Sequence, residues 1–119
     1  MAGKRVLIVD DDAEIATMLS RALLRRGFTI ETTSSAEDAV ARAADASFDA
    51  ALIDLVMPGQ DGMAVVQALL EKRPGMKVAL LTGYSHSPLL AAAERQGVAV
   101  FMKPTPIHEV VEFLQSDES

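Results

Sequence analysis

The sequence has no cysteine among its 119 residues, which excludes a disulfide scaffold, thiolate catalysis and a thiolate zinc site. No apolar run approaches the roughly 20 residues of a membrane span. The opening Met1-Ala2-Gly3-Lys4-Arg5 leads into only four apolar residues before acids begin, so no signal peptide is expected. Histidine is scarce, and His86 and His108 have no second ligand at zinc spacing. Positive charge is short as well. Eleven Lys and Arg face seventeen Asp and Glu, a net charge of −6, whereas nucleic-acid binding calls for a clustered basic face. Only Arg21, Arg25 and Arg26 group together, late in an expected helix, where a solvated helix end is the plain reading. These absences leave a folded cytoplasmic domain with neither nucleic acid nor membrane as partner. It is long enough for one core and too short for two.

What the chain does have is acid at the ends of apolar runs. Asp10-Asp11-Asp12 follows Val6-Leu7-Ile8-Val9, and Asp54 follows Ala50-Ala51-Leu52-Ile53. Carboxylates are costly where water is scarce, so two buried strands that both end in acid predict a crevice that a hard cation neutralises.

Strand-like runs at Val6–Val9, Phe28–Thr32, Ala50–Ile53, Val78–Leu81 and Val98–Met102 alternate with helical periodicity. Ile15, Met18, Leu19, Ala22 and Leu23 mark the first helix. Ser35-Ala36-Glu37-Asp38 opens the second like a capping box. Met63, Val66, Leu69 and Leu70 mark the third, Leu89, Leu90 and Ala93 the fourth, and Val110, Val111 and Leu114 the fifth. Gly27, Gly75 and Gly97 stand where helices should stop. Five βα units imply an α/β fold, a doubly wound five-stranded parallel sheet with right-handed crossovers. The first, third and fourth strands read as buried on both faces and the second as an edge. Strand order 2-1-3-4-5 follows, with the first and third strands meeting at the switch point where ligands bind.

Thr82 ends the fourth strand and Lys103 the fifth. Taken singly, each of these strand-end residues is ordinary. Together, two acids, a hydroxyl and an amine share one edge and suit one task. Asp54 acts as nucleophile toward a phosphoryl group, giving an aspartyl-phosphate. Asp11 with Asp10 holds Mg2+, and Lys103 and Thr82 take the phosphoryl oxygens. The cation and Lys103 both favour the ionised form of Asp54.

The segments VLIVDDD, LIDLVMPGQDG, LLTGY and FMKP, in this order and spacing, resemble the response-regulator receiver domain of two-component signalling, a CheY-like, flavodoxin-like fold, over essentially the whole chain. The resemblance implies that Asp54 is the phosphoacceptor, with Asp10, Asp11, Asp54 and the backbone carbonyl of Val56 at Mg2+, or Mn2+ in its place. It implies that Thr82 is the switch hydroxyl, that Lys103 binds phosphate, and that the Lys103-Pro104 peptide is cis. It further implies a histidine kinase or phosphotransfer protein as donor, small phosphodonors besides, and an output partner reached through the fourth helix, fifth strand and fifth helix. A monomer or a phosphorylation-dependent dimer is expected. Asp12 lies outside the ligand pair and reads as the N-cap of the first helix.

Two departures stand out. The family usually has Tyr or Phe three residues before the lysine, where this chain has Val100; the nearest aromatic is Phe101, and a one-residue slip reverses the face a side chain occupies. Gly97 also stands only six residues before Lys103, one fewer than is common. After Lys103-Pro104 comes Thr105-Pro106 in place of the frequent Phe, with Thr105 suited to cap the last helix and Pro106 to its first turn. Val56 and Tyr84, two residues after Asp54 and Thr82, flank the phosphoryl position in the family. Apolar Val56 cannot orient a water, and Tyr84 either covers the approach or contacts a partner from its loop; slow self-dephosphorylation is expected.

Other functions fit less well. A haloacid-dehalogenase-like phosphatase needs a second acid where Val56 stands. An FMN carrier needs a Ser/Thr/Gly-rich loop where three acids stand. A degenerate receiver that only binds protein is the remaining alternative. The domain is expected to be a phosphorylatable signalling module and not a turnover enzyme. No output domain lies within residues 1–119, so a stand-alone receiver and a piece of a larger regulator or hybrid kinase are both open.

Overall fold

In a computed structural model, residues 4–45, 48–54, 56–57, 60–83, 88–103 and 105–116 are described. Pro58, Gly59, Tyr84, His86 and Pro104, and with Pro104 the expected cis peptide, lie outside the described residues; Val56 is described through its backbone alone.

Five parallel strands form the main sheet: β1 (Arg5–Val9), β2 (Thr29–Thr33), β3 (Ala50–Asp54), β4 (Lys77–Thr82) and β5 (Ala99–Met102). Their order is β2-β1-β3-β4-β5, as the alternation predicts. Val56–Met57 and Gln60–Asp61 pair as a short antiparallel ribbon after β3. The helices are α1 (Ala13–Leu24), α2 (Ala36–Asp45), α3 (Gly62–Lys72), α4 (Pro88–Arg95) and α5 (Ile107–Gln115).

The strands separate two apolar layers because side chains alternate across a sheet. Leu7, Val9, Ala51, Ile53, Val78 and Leu80 pack with Ala39 and Ala43 of α2, Val66 and Leu69 of α3, and Ala93 of α4. Val6, Ile8, Ala50, Leu52, Ala79 and Leu81 face Leu19 and Leu23 of α1 and Val110, Val111 and Leu114 of α5. The interiors of β1, β3 and β4 are therefore apolar, with charged Arg5 and Lys77 only where β1 and β4 begin and polar groups where the strands leave the sheet at its carboxyl edge.

Local chemistry sets the helix ends. Asp12 caps α1, its carboxylate accepting from the amides of Glu14 and Ile15. Ser35 Oγ accepts from the Asp38 amide at 3.1 Å. The reciprocal half of the capping box is absent, because the Ser35 amide goes to Thr33 Oγ1 and the Asp38 carboxylate to Arg42. After α1 the amides of Gly27 and Phe28 turn back to the carbonyls of Leu24 and Leu23. After α4 those of Gly97 and Val98 reach Glu94 and Ala93 in the same way. Both glycines adopt positive φ, 93° and 82°, as this helix ending requires.

Met18 lies within α1 as its periodicity predicts but is 57% exposed, since the buried stripe of α1 runs along Ala16, Leu19 and Leu23. One expectation needs correction. Pro106, not Thr105, is the N-cap of α5, and no side chain caps it. The other end of α5 is held from the sheet. Lys4 Nζ donates to the Leu114 carbonyl and Lys77 Nζ to that of Phe113, each at 2.8 Å, and Lys77 also reaches the Ser116 carbonyl. Among the described residues no helix is long and apolar enough to cross a membrane.

Candidate functional site

Register brings the strand ends together. Val9 pairs with Ile53 between β1 and β3, which places Asp10 beside Asp54. Asp54 pairs with Leu81, so Thr82 lies one residue beyond it. Thr82 pairs with Met102, and the Lys103 amide closes that ladder on the Thr82 carbonyl at 2.7 Å. The four chemistries expected at one edge thus meet there because four strands end in step.

Asp10, Asp54 and Thr82 are buried, at 2%, 5% and 1% exposure, while Asp11 is exposed. Lys103 Nζ lies 3.2 Å from Asp54 Oδ1, and its side chain is only 25% exposed. Carboxylate oxygens of Asp10, Asp11 and Asp54 come within 4.8 Å of one another.

Asp10 bears the strain of this crowding. Its amide donates to the Thr33 carbonyl at 3.0 Å. Its Oδ1 accepts from the Asp12 amide at 2.9 Å. Its Oδ2 is buried and, among the described residues, has no partner in the ionised form. Burial pushes the Asp10 carboxyl up to about 6, with the Asp54 charge adding to the rise; the Asp12 amide and the Lys103 charge pull the other way. Two adjacent carboxylates relieve each other either by sharing a proton or by sharing a cation. An orphaned buried oxygen beside two further carboxylates fits a hard, oxygen-seeking divalent ion.

The departure at Val100 and Phe101 resolves by face. Val100 pairs with Leu80 and packs on the layer shared by α2, α3 and α4. Phe101 points to the opposite layer and meets Phe113 of α5 edge-on, with centroids 5.7 Å apart. The position three residues before Lys103 therefore has an aliphatic side chain, and Phe101 does not substitute for an aromatic there.

Sequence reasoning missed two backbone groups that hold Asp10, the Thr33 carbonyl and the Asp12 amide. Neither leaves a mark in residue type, although the N-cap at Asp12 was the available clue to the second.

The receiver-domain profile of response regulators matches residues 6–115. The chain is 34% identical over 116 residues to the photosynthetic apparatus regulatory protein RegA of Cereibacter sphaeroides, covering 95% of this chain and 62% of RegA. It therefore spans less than two thirds of that relative's length. A CheY-like receiver domain protein from Methanospirillum hungatei superposes with a TM-score of 0.86 at 31% identity, over 92% of this chain and 89% of that one. A response regulator from Burkholderia pseudomallei, solved with a phosphorylated aspartic acid and a calcium ion, gives a TM-score of 0.87 at 25% identity, over 96% and 68%.

Proposed function

This chain belongs to the response regulator receiver domain family, and we propose that it is a phosphoacceptor working in the cytoplasm, charged on Asp54 by a histidine kinase or phosphotransfer protein. The observation that carries the reading is the buried Asp54 carboxylate held against Lys103 beside the orphaned oxygen of Asp10. The Burkholderia pseudomallei relative with its phosphorylated aspartic acid and calcium ion supports it.

Asp54 attacks phosphorus with a carboxylate oxygen. The new O–P bond forms as the bond to the donor imidazole nitrogen breaks, and that nitrogen leaves with the bonding electron pair. Acetate leaves in the same way from acetyl phosphate. Lys103, already at the site, pairs with a phosphoryl oxygen as charge moves off Asp54. Thr82 donates its hydroxyl to a second one. Asp10, Asp11, Asp54 and the Val56 carbonyl would hold Mg2+, or Mn2+ in its place, which supplies positive charge to neutralise the acids and the phosphoryl oxygens. The reaction is one turnover on the protein itself, so the domain is a switch and not an enzyme acting on an external substrate.

Repositioned Thr82 and Lys103 act on the strand ends they terminate, and the altered surface is that of α4, β5 and α5, where an output partner docks. With Val100 in place of an aromatic, this relay runs without a tyrosine rotamer. Loss of phosphate is slow, because Val56 offers no group to orient water and Tyr84 follows Thr82 by two residues.

Incubation with acetyl phosphate tests the reading. Intact mass spectrometry should find one added phosphoryl group with Mg2+ present and none with chelator. The isolated product should persist for minutes or longer. An unchanged mass in both conditions would favour a receiver that only binds protein.

A further inference from the structure

Asp12 is exposed and lies outside the group formed by Asp10, Asp11 and Asp54, yet it is fixed more fully than either neighbour. Its carboxylate accepts from the Glu14 amide at 3.0 Å and the Ile15 amide at 3.2 Å. Its carbonyl accepts the first helical bond, from Ala16, at 3.0 Å. Those three contacts fix Asp12 as a residue at the start of α1, on both its side chain and its carbonyl. The amide of that same residue donates to Asp10 Oδ1 at 2.9 Å.

The consequence falls on Asp10. Its own amide is tied to Thr33 at the end of β2, and its Oδ1 is tied to Asp12, so that bond orients the carboxyl group about Cβ–Cγ. The oxygen left over, Oδ2, is the buried one without a partner among the described residues. An Asp10 released from Asp12 would be free to turn either oxygen to any nearby donor. Outer groups that orient a ligand in this way are worth roughly 10- to 100-fold in metal affinity.

We propose that Asp12 is a positioning residue of the phosphoryl site, whose N-cap aims its amide at Asp10 and so reserves the second Asp10 oxygen for the divalent cation. The inference rests on the metal-dependent reading above. It assigns to the third acid of the run a role that is neither ligation nor helix capping alone.

Calorimetric titration of Mg2+ into the full chain tests it. Asp12→Asn and Asp12→Ala lose the same charge, but only Asn retains an oxygen able to cap. Asp12→Ala should bind Mg2+ about tenfold more weakly than Asp12→Asn. Asp12→Gly, which disturbs the helix less than Ala at this position, should match Asp12→Ala and so separates lost aim from lost folding. Val111→Ala, a destabilising change under α5, should bind Mg2+ like the wild type. Equal affinity in all Asp12 variants, with the wild type binding normally, overturns the positioning role. Failure of the wild type to bind Mg2+ is a different result, and it overturns the metal-dependent reading together with this inference.

Discussion

Lys103 Nζ rests 3.2 Å from Asp54 Oδ1, joining the end of the fifth strand to the end of the third across the carboxyl edge of the sheet. A cation held against a 7%-exposed carboxylate side chain does two things at once. It orients the Asp54 carboxylate for attack, and it offsets the repulsion among three converging acids.

Lys103→Ala should therefore lower phosphorylation from acetyl phosphate by about a hundredfold, the usual scale for losing one preorganised charge-stabilising group. In the metal-free domain it should also cost about 1–3 kcal/mol, below the 3–5 kcal/mol of a fully buried pair because Lys103 is reached by water. Urea unfolding with and without Mg2+ measures this, and Mg2+ should recover part of the loss. A variant as stable as the wild type without metal would mean that the ion pair does not hold the acids together.

The Asp10 carboxyl, raised to about 6 from 3.8, predicts an unusual pH response. Its folded value lies above its unfolded one, so the folded state binds this proton more tightly. Between about pH 4 and 6 this group makes the metal-free domain more stable as pH falls, and above 6 the burial penalty is present in full. Mg2+ competes for the deprotonated form, so its stabilising effect should grow as pH rises through 6. Thermal melts from pH 5 to 7.5 should show stability falling as pH rises without Mg2+, and saturating Mg2+ should remove that fall. Asp10→Asn should flatten the metal-free profile, and an unchanged slope in that variant would contradict the assignment.

Phe101 packs against Phe113 on the α1/α5 side of the sheet. Phe101→Leu should cost about 1–2 kcal/mol through the lost edge-to-face pair and packing, with the rate of phosphorylation unchanged. A variant of full stability that loses phosphorylation would place Phe101 in the switch instead.

The strand order and the meeting of Asp10, Asp11, Asp54, Thr82 and Lys103 at one edge were legible because buried parallel strands must be apolar until they leave the sheet. An acid, a hydroxyl or an amine at that boundary announces itself. The face of Val100 and Phe101 was not legible, since β5 sits at the sheet's edge, where exposure on both sides weakens the pattern that fixes register. Met18 follows the helical period of α1 but falls outside the stripe that the sheet covers. The grip of Lys4 and Lys77 on the end of α5 joins residues 110 and 36 apart in sequence, through carbonyls common to every residue type. The Asp12 amide escaped notice for the same reason, because its direction comes from the cap and not from its identity.

The most direct test of the central claim is chemical mapping of the phosphorylated residue. Treating the domain with acetyl phosphate and Mg2+, then reducing the acyl phosphate with borohydride, converts a phosphorylated aspartate to homoserine, which tandem mass spectrometry locates. Conversion at position 54 alone, absent in Asp54→Asn and abolished by chelation, is the expected result. Conversion at position 10 or 11 in the wild type, or none anywhere, would contradict the account.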